Sequence, residues 1–197
     1  MSDLSEQLSL DGFGPEPTGR DRLFFAVLPD EAAAMRAAAV AGRLPADSRD
    51  TRVRQEHLHV TLHHLGDHHG VPEPVVQMAQ RAALAAASAT PCFELAFEQV
   101  QRFDRQSRNA ATVLTGETGL VAVRSLQVRL GAEMKRAGLG QWVEKSFTPH
   151  MTLLYGRGTT AFPAVEPVAW TVRELVLVHS FLGETRHEVL GRWSMRG

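Results

Sequence analysis

The sequence is short of several things, and each shortage removes a class of function. Cys92 is the only cysteine, so no disulfide can close within the chain and no thiolate cage can hold a metal. That usage suits a reducing compartment. No apolar run approaches the roughly 20 residues that a membrane-spanning helix needs. Charge of one sign is missing too. The 21 basic and 22 acidic side chains leave a formal net charge of -1, which argues against a protein that coats long nucleic acid. Recognition of one nucleotide or one RNA end stays open. The first residues are polar, with Gly12, Gly14, Pro15, Pro17 and Gly19, and lack the basic start and apolar middle of a signal peptide. Residues 1–21 are expected to form a disordered tail and residues 22–197 a single domain, in a cytoplasmic monomer with no membrane partner.

What is present is ordinary in bulk. The chain has 197 residues, 44% hydrophobic and 22% charged, enough for one compact domain or two small lobes in close contact. Leu23 to Leu28 is a continuous apolar run that reads as a buried strand. Asp30 is placed to cap an Ala-rich helix that Pro45 stops near Leu44. An extended stretch follows from Val53 to Leu65, then a helix over 74–89. Residues 92–103 alternate in part and suggest one strand, and 102–109 a polar, arginine-bearing connection. Ala110 to Leu114 reads as a strand. Leu120, Val123, Leu126, Leu130 and Met134 then fall at three- and four-residue steps, the spacing of an amphipathic helix. Gly138 and Gly140 end that helix. A further extended stretch covers 147–155, and 166–179 and 184–193 read as two closing strands.

Within this pattern one tetrad occurs twice. His59-Val60-Thr61-Leu62 returns as His150-Met151-Thr152-Leu153, each time in an extended stretch. Residues two apart in a strand share a face. His59 and Thr61 therefore point one way and Val60 and Leu62 the other, and the second tetrad repeats this. Strand 22–28, helix 30–44 and the first tetrad match strand 110–114, helix 120–137 and the second. The repeat is one of architecture, since the sequences barely agree outside the tetrads. A duplicated α+β fold is expected, with two pseudo-symmetric lobes whose antiparallel sheets face a central cleft and whose helices lie outside.

Two imidazoles and two hydroxyls facing one cleft suit phosphoester chemistry. A neutral His can take a proton from an attacking water while a protonated one gives its proton to the leaving oxygen. A Thr hydroxyl beside each can hydrogen-bond the non-bridging phosphate oxygens. The arrangement requires no metal and no cofactor. A cyclic phosphodiester suits it well, because one P–O bond breaks and the leaving oxygen stays on the sugar.

On these residues the chain resembles the two-histidine phosphoesterase superfamily, whose signature is a pair of His-x-(Thr/Ser)-x motifs. Within it the chain is most similar to the LigT-like RNA 2',3'-cyclic phosphodiesterases, also called 2'-5' RNA ligases. The resemblance is carried by Arg22-Leu23-Phe24-Phe25-Ala26-Val27, by His57-Leu58-His59-Val60-Thr61-Leu62 with Leu65-Gly66, and by Phe147-Thr148-Pro149-His150-Met151-Thr152-Leu153. It implies a bilobal α+β fold and hydrolysis of a terminal 2',3'-cyclic phosphate to a 2'-phosphate. It implies that His59 is the proton donor to the 3'-oxygen, that His150 is the base that activates water, and that Thr61 and Thr152 bind the phosphate. Many relatives carry an Arg five residues after the second motif His. Here Tyr155 stands there, and the nearest arginine is Arg157; either Arg157 reaches the phosphate from the turn or the substrate charge is met differently.

Other readings accompany this one. Ligation, with a 5'-hydroxyl in place of water, would use the same histidines. A non-catalytic RNA- or nucleotide-binding module is the alternative from another class, and small cyclic nucleotides are alternative substrates to RNA ends. His57, His59 and His63 on one strand face, with His64, His68 and His69 near, make a metal conceivable. The second half contributes only His150, so His57 and His63 are expected to flank the cleft or face solvent. Arg102, Arg105 and Arg108 around Phe103 could track an RNA backbone, but a solvated hairpin loop is the favoured reading.

Overall fold

The apolar run at the start of the ordered chain forms strand β1, Asp21–Val27, with both faces covered. Leu23, Phe25 and Val27 enter the main core, while Phe24 and Ala26 join a smaller cluster with Val176 and Val178 on the opposite face. This two-sided burial explains why the run is apolar throughout rather than alternating. The computed structural model describes residues 20–103, 110–156, 162 and 164–197. The expected tail therefore lies outside the described residues up to residue 19, as does Arg157.

Helix α1, Glu31–Arg43, starts where Asp30 accepts a hydrogen bond from the Ala33 N–H at 2.8 Å, the N-cap expected from the sequence. Arg52 closes its other end, donating from Nε and a guanidinium nitrogen to the carbonyls of Ala41 and Leu44. The Ala41 carbonyl also accepts from the C-cap Leu44 N–H at 3.3 Å, so Arg52 adds to the satisfaction of the helix end. Arg52 belongs to a short strand β2, Thr51–Arg52, ahead of a 3₁₀ turn, Gln55–His57. Strand β3, Val60–His68, and helix α2, Glu73–Ser88, follow. Then come β4 (Phe93–Phe97), β5 (Gln99–Arg102), β6 (Ala110–Thr115), helix α3 (Leu120–Arg136), β7 (Met151–Gly156), β8 (Val168–Val172), β9 (Glu174–Phe181) and β10 (Arg186–Ser194). Gly138, at φ +94°, ends α3 in a left-handed residue, and the Leu139 N–H reaches back to the Met134 carbonyl at 2.8 Å. This is the chain reversal that glycine favours at helix ends.

The protein is α+β, and its described strands pair antiparallel. One sheet has the order β10-β9-β1-β3 and a second the order β2-β7-β6-β5, and β4 pairs with β8 in a third. The expected repeat is present: β1, α1 and β3 correspond to β6, α3 and β7, and in each set the first strand pairs with the tetrad strand. The halves of the sequence nevertheless exchange strands. β5, from the first half, pairs with β6, and β9, from the second half, pairs with β1. The helices follow the exchange, α1 packing on β7 and β8 and α3 on β3 and β4. One contiguous core spans both sheets, and β3 touches β7 directly.

Two expected strands each divide. Residues 92–103 form β4 and β5, which belong to different sheets, and 166–179 form β8 and most of β9, which also part company. The chain changes sheet at Glu98 and Arg173. The Glu98 N–H bonds the Thr115 carbonyl at 3.1 Å, and the Arg173 carbonyl accepts from Met195 N–H at 2.7 Å. Among the described residues no helix is long and apolar enough to cross a membrane.

Candidate active site

The two tetrads sit at corresponding places in their sheets. Leu58, Val60 and Leu62 are buried while His57, His59 and Thr61 between them are half-buried. In the second copy Pro149, Met151 and Leu153 are buried, and His150 and Thr152 are half-buried. Each histidine immediately precedes the first residue of its strand.

The alternation then breaks at the same point in both copies. The β1–β3 register slips between the pairs Phe25–His63 and Ala26–Thr61, and the β6–β7 register slips between Val113–Thr152 and Thr112–Leu154. Each slip inserts one extra residue, a β-bulge, and turns the following side chains to the other face. His63 and Leu154 therefore go into the core, and His64 and Tyr155 rejoin the face of the threonines. The burial patterns of Val60–Leu65 and Met151–Gly156 are identical through this bulge. Tyr155 is thus the counterpart of His64, half-buried beside Thr152.

This corrects the expectation for His63, which neither flanks the cleft nor faces solvent. It is fully buried. Its Nε2 donates to the Gln127 carbonyl at 2.9 Å, and its Nδ1 accepts from the Glu144 N–H at 3.1 Å. Both ring nitrogens are satisfied in the neutral state, so His63 ties β3 to α3 and to the segment before the second tetrad. Burial, which penalises the charged imidazolium, pushes its pKa down to about 4, against the opposing effect of the Gln127 carbonyl.

His59 and His150 are held alike. His59 Nδ1 donates to the His57 carbonyl at 2.6 Å, and His150 Nδ1 to the Thr148 carbonyl at 2.7 Å. A carbonyl can only accept, so each bond puts the proton on Nδ1 and the basic lone pair on Nε2. A phenylalanine packs on each ring. Phe24 stacks on His59 with centroids 4.8 Å apart, and Phe103 meets His150 edge-on at 5.1 Å. Thr115 Oγ1 donates to the Pro149 carbonyl at 3.3 Å, fixing the chain just ahead of His150. The sequence pattern did not mark these two phenylalanines as partners of the histidines. The two-sided burial of β1 was the one available signal, and it pointed to Phe24 only.

His57, expected to flank the cleft or face solvent, adjoins His59 through its own carbonyl. It is half-buried and stacks on His187 of β10, a residue that no sequence signal singled out. Burial is the main cause lowering its pKa, with Arg54 and His59 adding to it and Glu56 opposing. Arg102 departs from the reading of a solvated loop. It is buried at the end of β5, and a guanidinium nitrogen donates to the Gly156 carbonyl at 2.6 Å. Phe103, the next residue, covers His150. Arg105, Arg108 and Arg157 lie outside the described residues. Among the described residues, no group of three His, Cys, Asp or Glu side chains is placed to hold a metal ion.

Comparison with known proteins gives a consistent picture. The family model described as "2'-5' RNA ligase superfamily" matches residues 28–182. E. coli LigT, in a crystal structure with NADP+, is 21% identical; the match covers 91% of this chain and 100% of that one, with a TM-score of 0.72. The complex of the same protein with 3'-AMP matches at 22% identity, with 90% and 99% coverage and a TM-score of 0.72. TT0787 of Thermus thermophilus matches at 23% identity, 89% and 98% coverage and a TM-score of 0.70. At these identities the structures show the shared fold. A comparison with the curated proteins finds no match. The family match spans both tetrads and the strands that present them, and it supports an enzyme with phosphoesterase- or ligase-type activity. The chain belongs to the 2'-5' RNA ligase superfamily, with the LigT-like two-histidine phosphoesterase fold.

Proposed function

We propose that the protein hydrolyses 2',3'-cyclic phosphate, on an RNA end or a small nucleotide, to a 2'-phosphate without a metal. His150, neutral, takes a proton from water through Nε2, and the resulting hydroxide attacks phosphorus. The bond between phosphorus and the 3'-oxygen breaks as His59, protonated on Nε2, gives its proton to that oxygen. The products are a 2'-phosphate and a 3'-hydroxyl. Proton exchange with solvent then restores both rings. Thr61 and Thr152 donate to the non-bridging oxygens, where charge accumulates in the transition state. Tyr155, beside Thr152, and Arg157 are further candidates for phosphate contact.

The observation that supports this best is the equivalence of the two histidines. Each sits at the start of a tetrad strand with Nδ1 bonded to the carbonyl two residues earlier. Each is followed by a half-buried Thr and then a bulge. Two like rings presenting the same nitrogen suit one acid and one base acting across a phosphate. The family match favours a second reading, in which a 5'-hydroxyl replaces water and a 2'-5' linkage forms.

The test is turnover of a 2',3'-cyclic-phosphate oligonucleotide in EDTA, with the product's regiochemistry, for the wild type, His59→Ala and His150→Ala. A 2'-phosphate product that both substitutions reduce by roughly 10²-fold or more supports the acid–base pair. Addition of a 5'-hydroxyl oligonucleotide distinguishes hydrolysis from ligation. No turnover by the wild type, with the oligonucleotide still bound, would favour a binding module instead.

A further inference from the structure

The face of the first sheet that carries His59 holds more imidazole than one proton donor needs. His57, His59, His64 and His187 all border Phe24 or one another there. His187 comes from β10, the strand farthest from β3 in the sheet order, yet its ring reaches across Phe24. It stacks on His57 at 4.2 Å and 28°, and meets His59 at 5.8 Å and 67° and Phe24 at 5.8 Å and 74°. The His57 carbonyl is the group that fixes the His59 ring, at 2.6 Å. The family match ends at residue 182, so His187 lies beyond it.

We propose that His187 is a positioning residue for His59. Stacked on the His57 ring, it steadies the peptide whose carbonyl holds His59 Nδ1. This rests on the reading of His59 as the proton donor.

Other charged groups lie around the cluster. On the turn that carries His57, Glu56 favours protonation of that ring and Arg54 opposes it. His64 lies against Phe24 at 5.9 Å. Arg22 of β1 and Asp67 of β3 pair with each other at 2.7 Å. On β9, His179 pairs with Asp21 on the opposite face. On β10, Arg186 lies over the Phe181 ring and between Glu184 and Glu188.

His187→Phe keeps an aromatic ring for the stack, and His187→Ala removes it. NMR of the His59 ring nitrogens should show the proton on Nδ1 in the wild type and in His187→Phe, and a mixture of tautomers in His187→Ala. His187→Ala should lower kcat roughly tenfold with KM changed by less than about twofold, and His187→Phe should recover most of that loss. An unchanged His59 tautomer in His187→Ala, or a Phe variant no better than the Ala variant, overturns the proposal. The tautomer measurement needs no turnover, so failure of the hydrolase reading would be seen separately, as a wild type inactive on cyclic phosphate.

Discussion

His63 should make the protein sensitive to acid, to a degree that its surroundings set. The unfolded chain binds a proton on this residue near pH 6.5, and the folded protein only near about 4. Between those values the unfolded state holds more protons, so acidification through that window favours unfolding. The full separation corresponds to about 3 kcal/mol, of which roughly 2 kcal/mol is lost between pH 7 and about pH 4.5. The neutral ring is a donor at Nε2 and an acceptor at Nδ1, so His63→Gln offers both functions without titrating. Urea unfolding at a series of pH values, for the wild type and His63→Gln, isolates this residue from the carboxylates that also titrate. The wild type should lose about 2 kcal/mol more than the variant on going from pH 7 to about pH 4.5. Equal losses in the two proteins would refute the argument. They would mean that acid finds a folded state in which His63 is solvated, and that burial does not hold the ring neutral.

Further outcomes follow from the site and its supports. Thr61→Val and Thr152→Val keep the shape and remove the hydroxyl; each should lower kcat/KM on a cyclic phosphate roughly 10- to 100-fold, and unchanged kinetics in both would remove the threonines from the phosphate site. Phe103→Leu removes the ring edge that meets His150 at 5.1 Å and should lower kcat by a few-fold, on the order of 0.5–1.5 kcal/mol of barrier, with little change in thermal stability; steady-state kinetics beside a melt would show it. Gly156→Ala should be severe, because φ is +150° and the new Cβ would lie 1.8 Å from Asp50 Oδ1. A loss of roughly 2 kcal/mol or more is expected in urea unfolding.

Much of the site was legible because it is written in local periodicity. The His-x-Thr spacing puts both side chains on one strand face whatever the rest of the chain does, and Asp30 and Gly138 mark helix ends by their own backbone chemistry. The fate of His63 was not legible. Alternation counted from His59 leaves it on the open face, but one inserted residue in β3 reverses the count, and a bulge has no fixed residue signature. The same bulge in β7 explains why Tyr155, rather than Leu154, stands beside Thr152. Arg102 misled for a related reason. A run of charged and polar residues follows Phe103, and only the pairing of β5 with β6 shows that the Arg102 side chain turns inward.

The sequence by itself determined the α+β class, the three helices, the repeat of strand, helix and tetrad, and the residues with chemistry to offer. These follow from patterns a few residues long. Only the tertiary structure decided which strands share a sheet. Each half lends two strands to the other's tetrad sheet, β2 and β5 from the first half and β9 and β10 from the second. It also decided that His187, from the last strand, meets His57 and His59, and that a phenylalanine packs on each tetrad histidine. Such contacts join residues far apart in sequence. They depend on how complementary surfaces pack in a shared core, which no local period encodes.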